Sequence, residues 1–306
     1  MGERKQKGRE VSGWLCLDKV AGQTSTQAVA SVKRLFGAAK VGHAGTLDPL
    51  ATGVLPIALG EATKTVSFVQ DGRKVYRFTV RWGVETDTDD AEGKSVASSD
   101  ARPDRAAIEA LLPEFTGDIM QRPPAYSAIK VDGERAYDRA RGGEEVTLDE
   151  RPVAVHRLAV VEMPDPEHTV LEAECGKGTY VRALARDLGR RLGCRGHVTA
   201  LRRLVVGPFD AATMAPLETL ITAREKGNAQ SLDRFLMPIG FVLGDLPEVA
   251  VLAADAARIG RGQSVLIRGR DAPISAGAAH ATYGGRSMAV GEIGEGAFHP
   301  KRVFKG

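Results

Sequence analysis

The sequence predicts a mixed α/β chain of the α+β type that ends in a small β-rich module, and three observations carry this. The segment KVYRFTVRWG alternates apolar and polar residues at period two, as a half-buried strand does. Two stretches show apolar stripes at helical spacing, each closed by a glycine. Beyond about residue 240 the pattern changes to short strand-like runs broken by glycines. A chain of 306 residues has room for one large and one small domain. The expected division is 1–240 and 241–306.

Taken in order, WLCLD at 14–18 reads as a short buried strand, followed by the polar turn KVAGQTS. Thr24 or Ser25 then caps a helix with Ala28, Val29, Val32, Leu35 and Phe36 on one face and Gly37 as its stop. The glycine-rich loop GHAGTLDPLATG at 42–53 leads into the apolar run VLPIALG. A short helical stretch at 61–69 precedes the alternating strand, whose Tyr76, Phe78, Val80 and Trp82 share a face.

The segment ETDTDDAEGK at 85–94 lacks the glycine and glutamate offsets of a calcium loop and reads as a solvated acidic turn. A helix at 103–115 carries Ile108, Leu111, Leu112 and Phe115 on one side. Residues 121–152 are polar and rich in arginine, and are expected to project as an insertion. Strands are expected at 153–162 and 168–175. The turn GKG then opens a helix at 179–192, striped by Val181, Leu184, Ala185, Leu188 and Leu192 and stopped by Gly193. In the tail, VLIRG and MAVGEIG read as strands and DAPISAGAAHATYGG as a flexible loop.

Composition narrows the function. The chain is 43% hydrophobic and 26% charged, ordinary for a folded soluble protein. A net charge of +3 permits a polyanionic partner without requiring one. The three cysteines show no C-x-x-C spacing, so neither a disulfide nor a zinc site is expected and a reducing compartment fits. The charged N-terminus has no signal-peptide run and no stretch reaches membrane-span length, which predicts a cytoplasmic protein with no membrane contact. There is no P-loop, no GxGxxG after a strand, no G-x-S-x-G elbow and no ligand spacing among the six histidines. Nucleotide hydrolysis, redox chemistry and metal-assisted hydrolysis thereby lose their sequence support.

The loop GHAGTLDPLATGVL remains. By spacing alone Asp48 before Pro49 reads as a helix N-cap followed by proline at the first helical position. The glycines at 42, 45 and 53 fit a tight turn or a close approach of backbone to a ligand. Arg182, Arg186 and Arg190 lie four apart on one helix face. Such like-charge neighbours destabilise an isolated helix by a few tenths of a kcal/mol per pair. Either that face is exposed and screened by Asp187, or one of its arginines faces a phosphate or a carboxylate.

The block GHAGTLDPLATGVLPIALGEATK resembles the signature of the TruB family of pseudouridine synthases. The resemblance continues, in order, through KVYRFTVRWGVETDTDDAEG, QRPPAYSAIKVDGERAYDRAR, CGKGTYVRALARDLGRRLG and LRRLVVGPF. It implies the mixed, largely antiparallel sheet of the pseudouridine synthase fold, with a tail resembling a PUA domain. It also implies conversion of a uridine to pseudouridine at position 55 of the tRNA T-loop, without a cofactor or metal. Asp48 matches the catalytic aspartate and Arg182 its partner. Tyr76 matches the tyrosine that stacks on the target base, Tyr180 a second pocket tyrosine and Leu201 an apolar wall. His43 matches a histidine that helps displace the target nucleotide. Lys19 belongs to an early motif that usually reads Lys-Pro; here it is Lys19-Val20, which relaxes the turn that positions the lysine.

The resemblance implies that the Arg-rich insertion (Lys130, Arg135, Arg139 and Arg141) clasps RNA phosphates. The partner is then the tRNA T-arm, with no obligate protein partner and a monomer as the default state. Two alternatives stay open: an RNA-binding or tRNA-folding protein with secondary catalysis, and a relative of the guide-RNA-dependent pseudouridine synthases.

Overall fold

The computed structural model describes residues 8–127, 129–131, 133–142, 144, 146–267 and 276–305. The first half of the chain holds strands β1 (Gly13–Lys19), β2 (Val41–His43), β3 (Thr52–Leu59), β4 (Lys74–Trp82), β5 (Val84–Thr86), β6 (Ser95–Ser98) and β7 (Gly117–Gln121). Helices α1 (Ser25–Phe36), α2 (Val66–Asp71) and α3 (Arg105–Leu111) lie among them. An excursion follows with β8 (Lys130–Val131), β9 (Glu134–Arg135) and α4 (Ala136–Arg141). The chain then returns through β10 (Arg151–Asp165), β11 (His168–Cys175), α5 (Val181–Arg191), β12 (Gly196–Val206), β13 (Met214–Pro216) and α6 (Leu217–Glu225). The tail adds β14 (Glu248–Ala250), α7 (Ala253–Ile259), β15 (Val265–Leu266), β16 (Gly277–Tyr283), β17 (Arg286–Gly294) and β18 (Ala297–Val303).

The main sheet has nine strands in the order β13-β1-β3-β12-β4-β11-β10-β7, with β2 also on β3. Its pairs are antiparallel except β1–β13 and β3–β12. This is the mixed, largely antiparallel sheet that the family resemblance implies. Strand β1 is apolar from Trp14 to Leu17 because both of its faces are covered there. Leu15 and Leu17 join a core with Val32 and Phe36 of α1 and Leu184 and Leu188 of α5. Trp14 and Cys16 pack on the opposite side with Val54, Val206 and Phe209. Strand β4 alternates because one face is wet: Phe78, Val80 and Trp82 are buried, while Arg77 and Arg81 are exposed. Each large apolar side chain so buried contributes about 1.5–3 kcal/mol.

Local signals set the helix ends. Thr24 and Gln27 form a reciprocal capping box at the start of α1, and Gly37 ends it at φ 60°. Asp104 caps α3 through the Ala107 amide.

Three expectations need correction. Asp48 caps no helix: the Ala51 N–H donates to its carbonyl across a tight turn, and the chain runs straight into β3. The acidic turn is not solvated, since Glu85, Thr86, Asp89 and Asp90 are all buried. Part of the stretch read as a flexible loop is strand β16, between β14 and β17 in a five-stranded sheet; residues 271–275 of that stretch lie outside the described residues. Partners on both edges override the weak strand propensity of its glycine and alanines, and Ala279 and Ala281 are fully buried. The tail is tied back to the segment before α2. Lys64 Nζ donates to the Val303 carbonyl at 2.7 Å, and the Lys305 amide donates to Glu61 at 2.7 Å.

Candidate active site

The loop between β2 and β3 presents Asp48, and its backbone is fixed at nearly every carbonyl. The Ser25 hydroxyl, at the first residue of α1, donates to the Leu47 carbonyl and accepts from the Leu47 amide at 3.0 and 2.9 Å. The Lys19 ammonium donates to Ala51, Val20 and Pro49 carbonyls at 2.6, 3.0 and 3.2 Å. Arg203 donates to Val54, Gly45 and Thr46 carbonyls at 2.7, 3.1 and 3.4 Å. Buried carbonyls need such donors, and a loop with so many of them has one conformation. Gly53, at φ 97°, is required here: a Cβ would stand 2.2 Å from the Arg203 carbonyl.

The carboxylate of Asp48 meets Arg182, whose Nε lies 2.9 Å from Oδ2 and whose Nη2 donates to Oδ1 at 3.2 Å. Arg182 is buried and has further duties. It donates to the Thr88 carbonyl at 2.8 Å and the Tyr126 carbonyl at 2.9 Å, and it pairs with Asp90 at 3.4 Å. One turn on, Arg186 pairs with Asp89 and Asp187 at 2.9 and 2.8 Å and donates to the Arg122 carbonyl at 2.7 Å. A turn later Arg190 pairs with Glu85 at 2.6 Å. The three like charges on α5 are therefore a ladder whose counter-ions come from the acidic turn.

That turn is fixed in its own right. Asp89 adopts the left-handed region at φ 62°, which aspartate tolerates better than most residues. Val198 of β12 donates to the Asp89 carbonyl and accepts from the Ala91 amide. Burial pushes the Asp89 carboxyl up to about 6, with Arg186 opposing. Burial also raises Asp90, while Thr88 and Arg182 pull it back.

The other expected residues fall as follows. Tyr76 on β4 is half-buried and lies opposite Arg203 in the sheet register. Burial raises its phenol, Arg203 opposes that, and Asp48 adds to it, so the three share one electrostatic neighbourhood. His43 ends β2 and is half-buried. Burial lowers its imidazole against the Gly45 backbone, so the ring is neutral near pH 7. Leu201 lies in the core opposite Phe78. Tyr180 stands at the N-cap of α5 with the Arg151 guanidinium 5.3 Å from its ring centre. Lys19 turns its ammonium to backbone, where burial drops it to about 8, against the pull of Asp48. The side chains of Lys130, Arg135 and Arg141 lie outside the described residues.

Sequence reasoning passed over Arg203, Asp89, Asp90 and Gln121. The readable signal was charge balance: three arginines at helical spacing beside a full apolar stripe need three acids, and 85–90 holds them. Arg203 gave a second signal, as an arginine within the apolar run LRRLVV. Among the described residues no group of histidine, cysteine or acidic side chains is arranged to hold a metal ion, and no helix is long and apolar enough to cross a membrane.

Solved structures share this architecture. The fold matches a Cbf5–Nop10–Gar1 complex at a TM-score of 0.73, with 24% identity, over 96% of this chain and 84% of that one. It matches an H/ACA ribonucleoprotein bound to a substrate RNA containing 2′-deoxyuridine at 0.74 and 23%, over 96% and 85%. This is the pseudouridine synthase fold, and the five-stranded tail sheet is its PUA-like companion. The model of the TruB family pseudouridylate synthase N-terminal domain matches residues 33–181, and that of the tRNA pseudouridylate synthase B C-terminal domain matches residues 182–243. Among curated relatives, the tRNA pseudouridine synthase B of Rhodopseudomonas palustris is 60% identical over 99% of this chain and 83% of its own length. That of Agrobacterium fabrum is 55% identical over 98% of this chain and 97% of its own length. The chain belongs to the TruB family of pseudouridylate synthases.

Proposed function

We propose that this enzyme isomerises a uridine of tRNA to pseudouridine at position 55 of the T-loop, with Asp48 as the nucleophile. The observation that carries this is a carboxylate held on a loop bonded at nearly every carbonyl, paired with a buried arginine and itself partly open to solvent. The reaction breaks the N1–C1′ bond, turns the uracil, joins C5 to C1′ and releases the C5 proton. It is redox-neutral and needs no group donor. Asp48 adds to base or sugar, or takes a ribose proton, with the Arg182 guanidinium beside its carboxylate in each route.

The base leaves its stack at a cost of a few kcal/mol. Stacking on Tyr76 offsets roughly 1–3 kcal/mol of that. His43 assists displacement, and Tyr180 and Leu201 line the pocket. Residues 1–240 form the catalytic domain, with the 121–152 insertion clasping phosphates through Lys130 and its neighbours. Residues 241–306 add an RNA-binding module. The protein works as a cytoplasmic monomer without a protein partner or guide RNA. Full-length relatives named tRNA pseudouridine synthase B, far more similar to this chain than the Cbf5 structures, support the stand-alone reading.

The test is a bare T-arm stem-loop carrying tritium at C5 of the target uridine, incubated with this protein alone. Tritium release and a pseudouridine at that position are expected. No release, with restoration on adding guide RNA, overturns the stand-alone assignment.

A further inference from the structure

The 122–150 excursion leaves the sheet at Gln121 and returns at Arg151, and these two residues face each other across the β7–β10 pair. Both then turn to the same residue, Tyr180. Gln121 is buried, at 2% exposure. Its Oε1 accepts from the Tyr180 amide at 2.8 Å, and its Nε2 donates to the Tyr180 carbonyl at 3.1 Å. That carbonyl also receives the Leu184 amide at 3.1 Å, the first rung of α5. The Arg151 guanidinium covers the Tyr180 ring at 5.3 Å.

Tyr180 needs this help. It is the N-cap of α5, extended at φ −106° and ψ 113°, with no side-chain cap bond of its own. One primary amide bonding both backbone groups of one residue fixes its peptide planes as a neighbouring strand would. Arg182 lies two residues on, so the same clip sets the direction in which α5 delivers its guanidinium to Asp48. On the excursion side, the Arg122 and Tyr126 carbonyls are bound by Arg186 and Arg182. The root of the excursion and the start of α5 are thus one bonded unit.

We infer that Gln121, backed by Arg151, is a positioning residue for the reaction: it clips Tyr180 and the N-terminus of α5 into working geometry at the root of the RNA-facing excursion. This deepens the proposed function and rests on its placing of Tyr180 in the pocket. Neither residue touches the reacting atoms; each acts through Tyr180 and Arg182.

Two variants test the clip. Gln121→Met keeps the volume and removes both hydrogen bonds, while Gln121→Glu keeps the acceptor and loses the donor. Single-turnover conversion of the T-arm stem-loop is measured with enzyme in saturating excess, beside RNA affinity and melting temperature. Small misplacement of reacting groups costs up to about a hundredfold, so Gln121→Met is expected to lose about that much rate and Gln121→Glu about tenfold. RNA affinity stays near wild type in both. A Gln121→Met rate equal to wild type overturns the inference. So does a loss of rate that only tracks equal losses of affinity and melting temperature in both variants, since that is general destabilisation. Amide hydrogen exchange of the RNA-free protein gives a readout independent of turnover. Exchange at Tyr180 is expected to quicken in Gln121→Met, and unchanged protection there removes the clip even if the wild type proves inactive on this RNA.

Discussion

Two carboxylates share the Arg182 guanidinium, and they differ in what else they touch. Asp90 is closed in: its side chain is 4% exposed, and its Oδ1 accepts from the Thr88 hydroxyl at 2.6 Å and the Glu92 amide at 3.0 Å. Asp48 is 32% exposed and sits on a loop whose backbone, rather than whose carboxylate, absorbs the available donors. A carboxylate offers about four lone-pair sites. Asp90 has committed its sites to structure, while Asp48 stays partly open to solvent. On the proposed function, the comparison separates a carboxylate that would work from one that holds the arginine in place.

The sharpest break of that comparison is Asp48→Asn. It removes the proposed nucleophile but leaves Arg182 its Asp90 partner, so the fold is expected to survive. Turnover of the stem-loop is expected to fall by about 10⁴-fold or more, with RNA affinity and melting temperature near wild type. Normal turnover would sink the nucleophile assignment. Arg182→Met attacks both carboxylates at once and leaves Asp90 buried without its cation. Breaking a buried pair costs about 3–5 kcal/mol, so urea unfolding should reveal a large loss of stability together with lost activity.

Lys19→Met probes the loop itself. It strips the Ala51 carbonyl of its donor, whereas Pro49 keeps the Gly22 amide. An unsatisfied buried acceptor costs about 1–3 kcal/mol, and the single-turnover rate should drop with little change in RNA affinity. The wild type offers a related reading: Lys19 loses its proton at about 8, so the rate should have an alkaline limb there that Lys19→Met lacks.

The smallest effect belongs to Asp89. Burial raises its carboxyl to about 6 in the folded state, from 3.8. Its favourable contribution is complete below the unfolded value and is lost as pH rises through about 6. Asp89→Asn tolerates the left-handed backbone and should remove this decline, on the order of 2 kcal/mol. Urea midpoints at about pH 4.5 and about pH 7 for both proteins would show it, since most of the decline falls between these conditions. Parallel pH profiles would contradict it.

Local patterns were legible where local physics decides. The cap at Thr24 or Ser25, the stop at Gly37 and the alternation of β4 each depend on neighbours within a few residues, and the structure matches them, with Thr24 as the cap. The acidic turn was misread because its partners lie about a hundred residues away on α5. Asp48 was misread as a helix cap for a related reason. Asp-Pro suits both a cap and a turn, and the contacts that select the turn come from Lys19, Ser25 and Arg203. The alanine-rich strand β16 was missed because its stability comes from β14 and β17 rather than from its own side chains.

The sequence by itself determined the family, the elements with a periodicity of their own such as α1, β4 and α5, and the residues Asp48 and Arg182. Only the tertiary structure decided which charges are buried and with whom. Pattern within a segment records its own periodicity, whereas the cost of burying a charge is set by counter-charges brought in from distant segments. That is why Arg182 was visible as a residue, but its division between Asp48 and Asp90 was not.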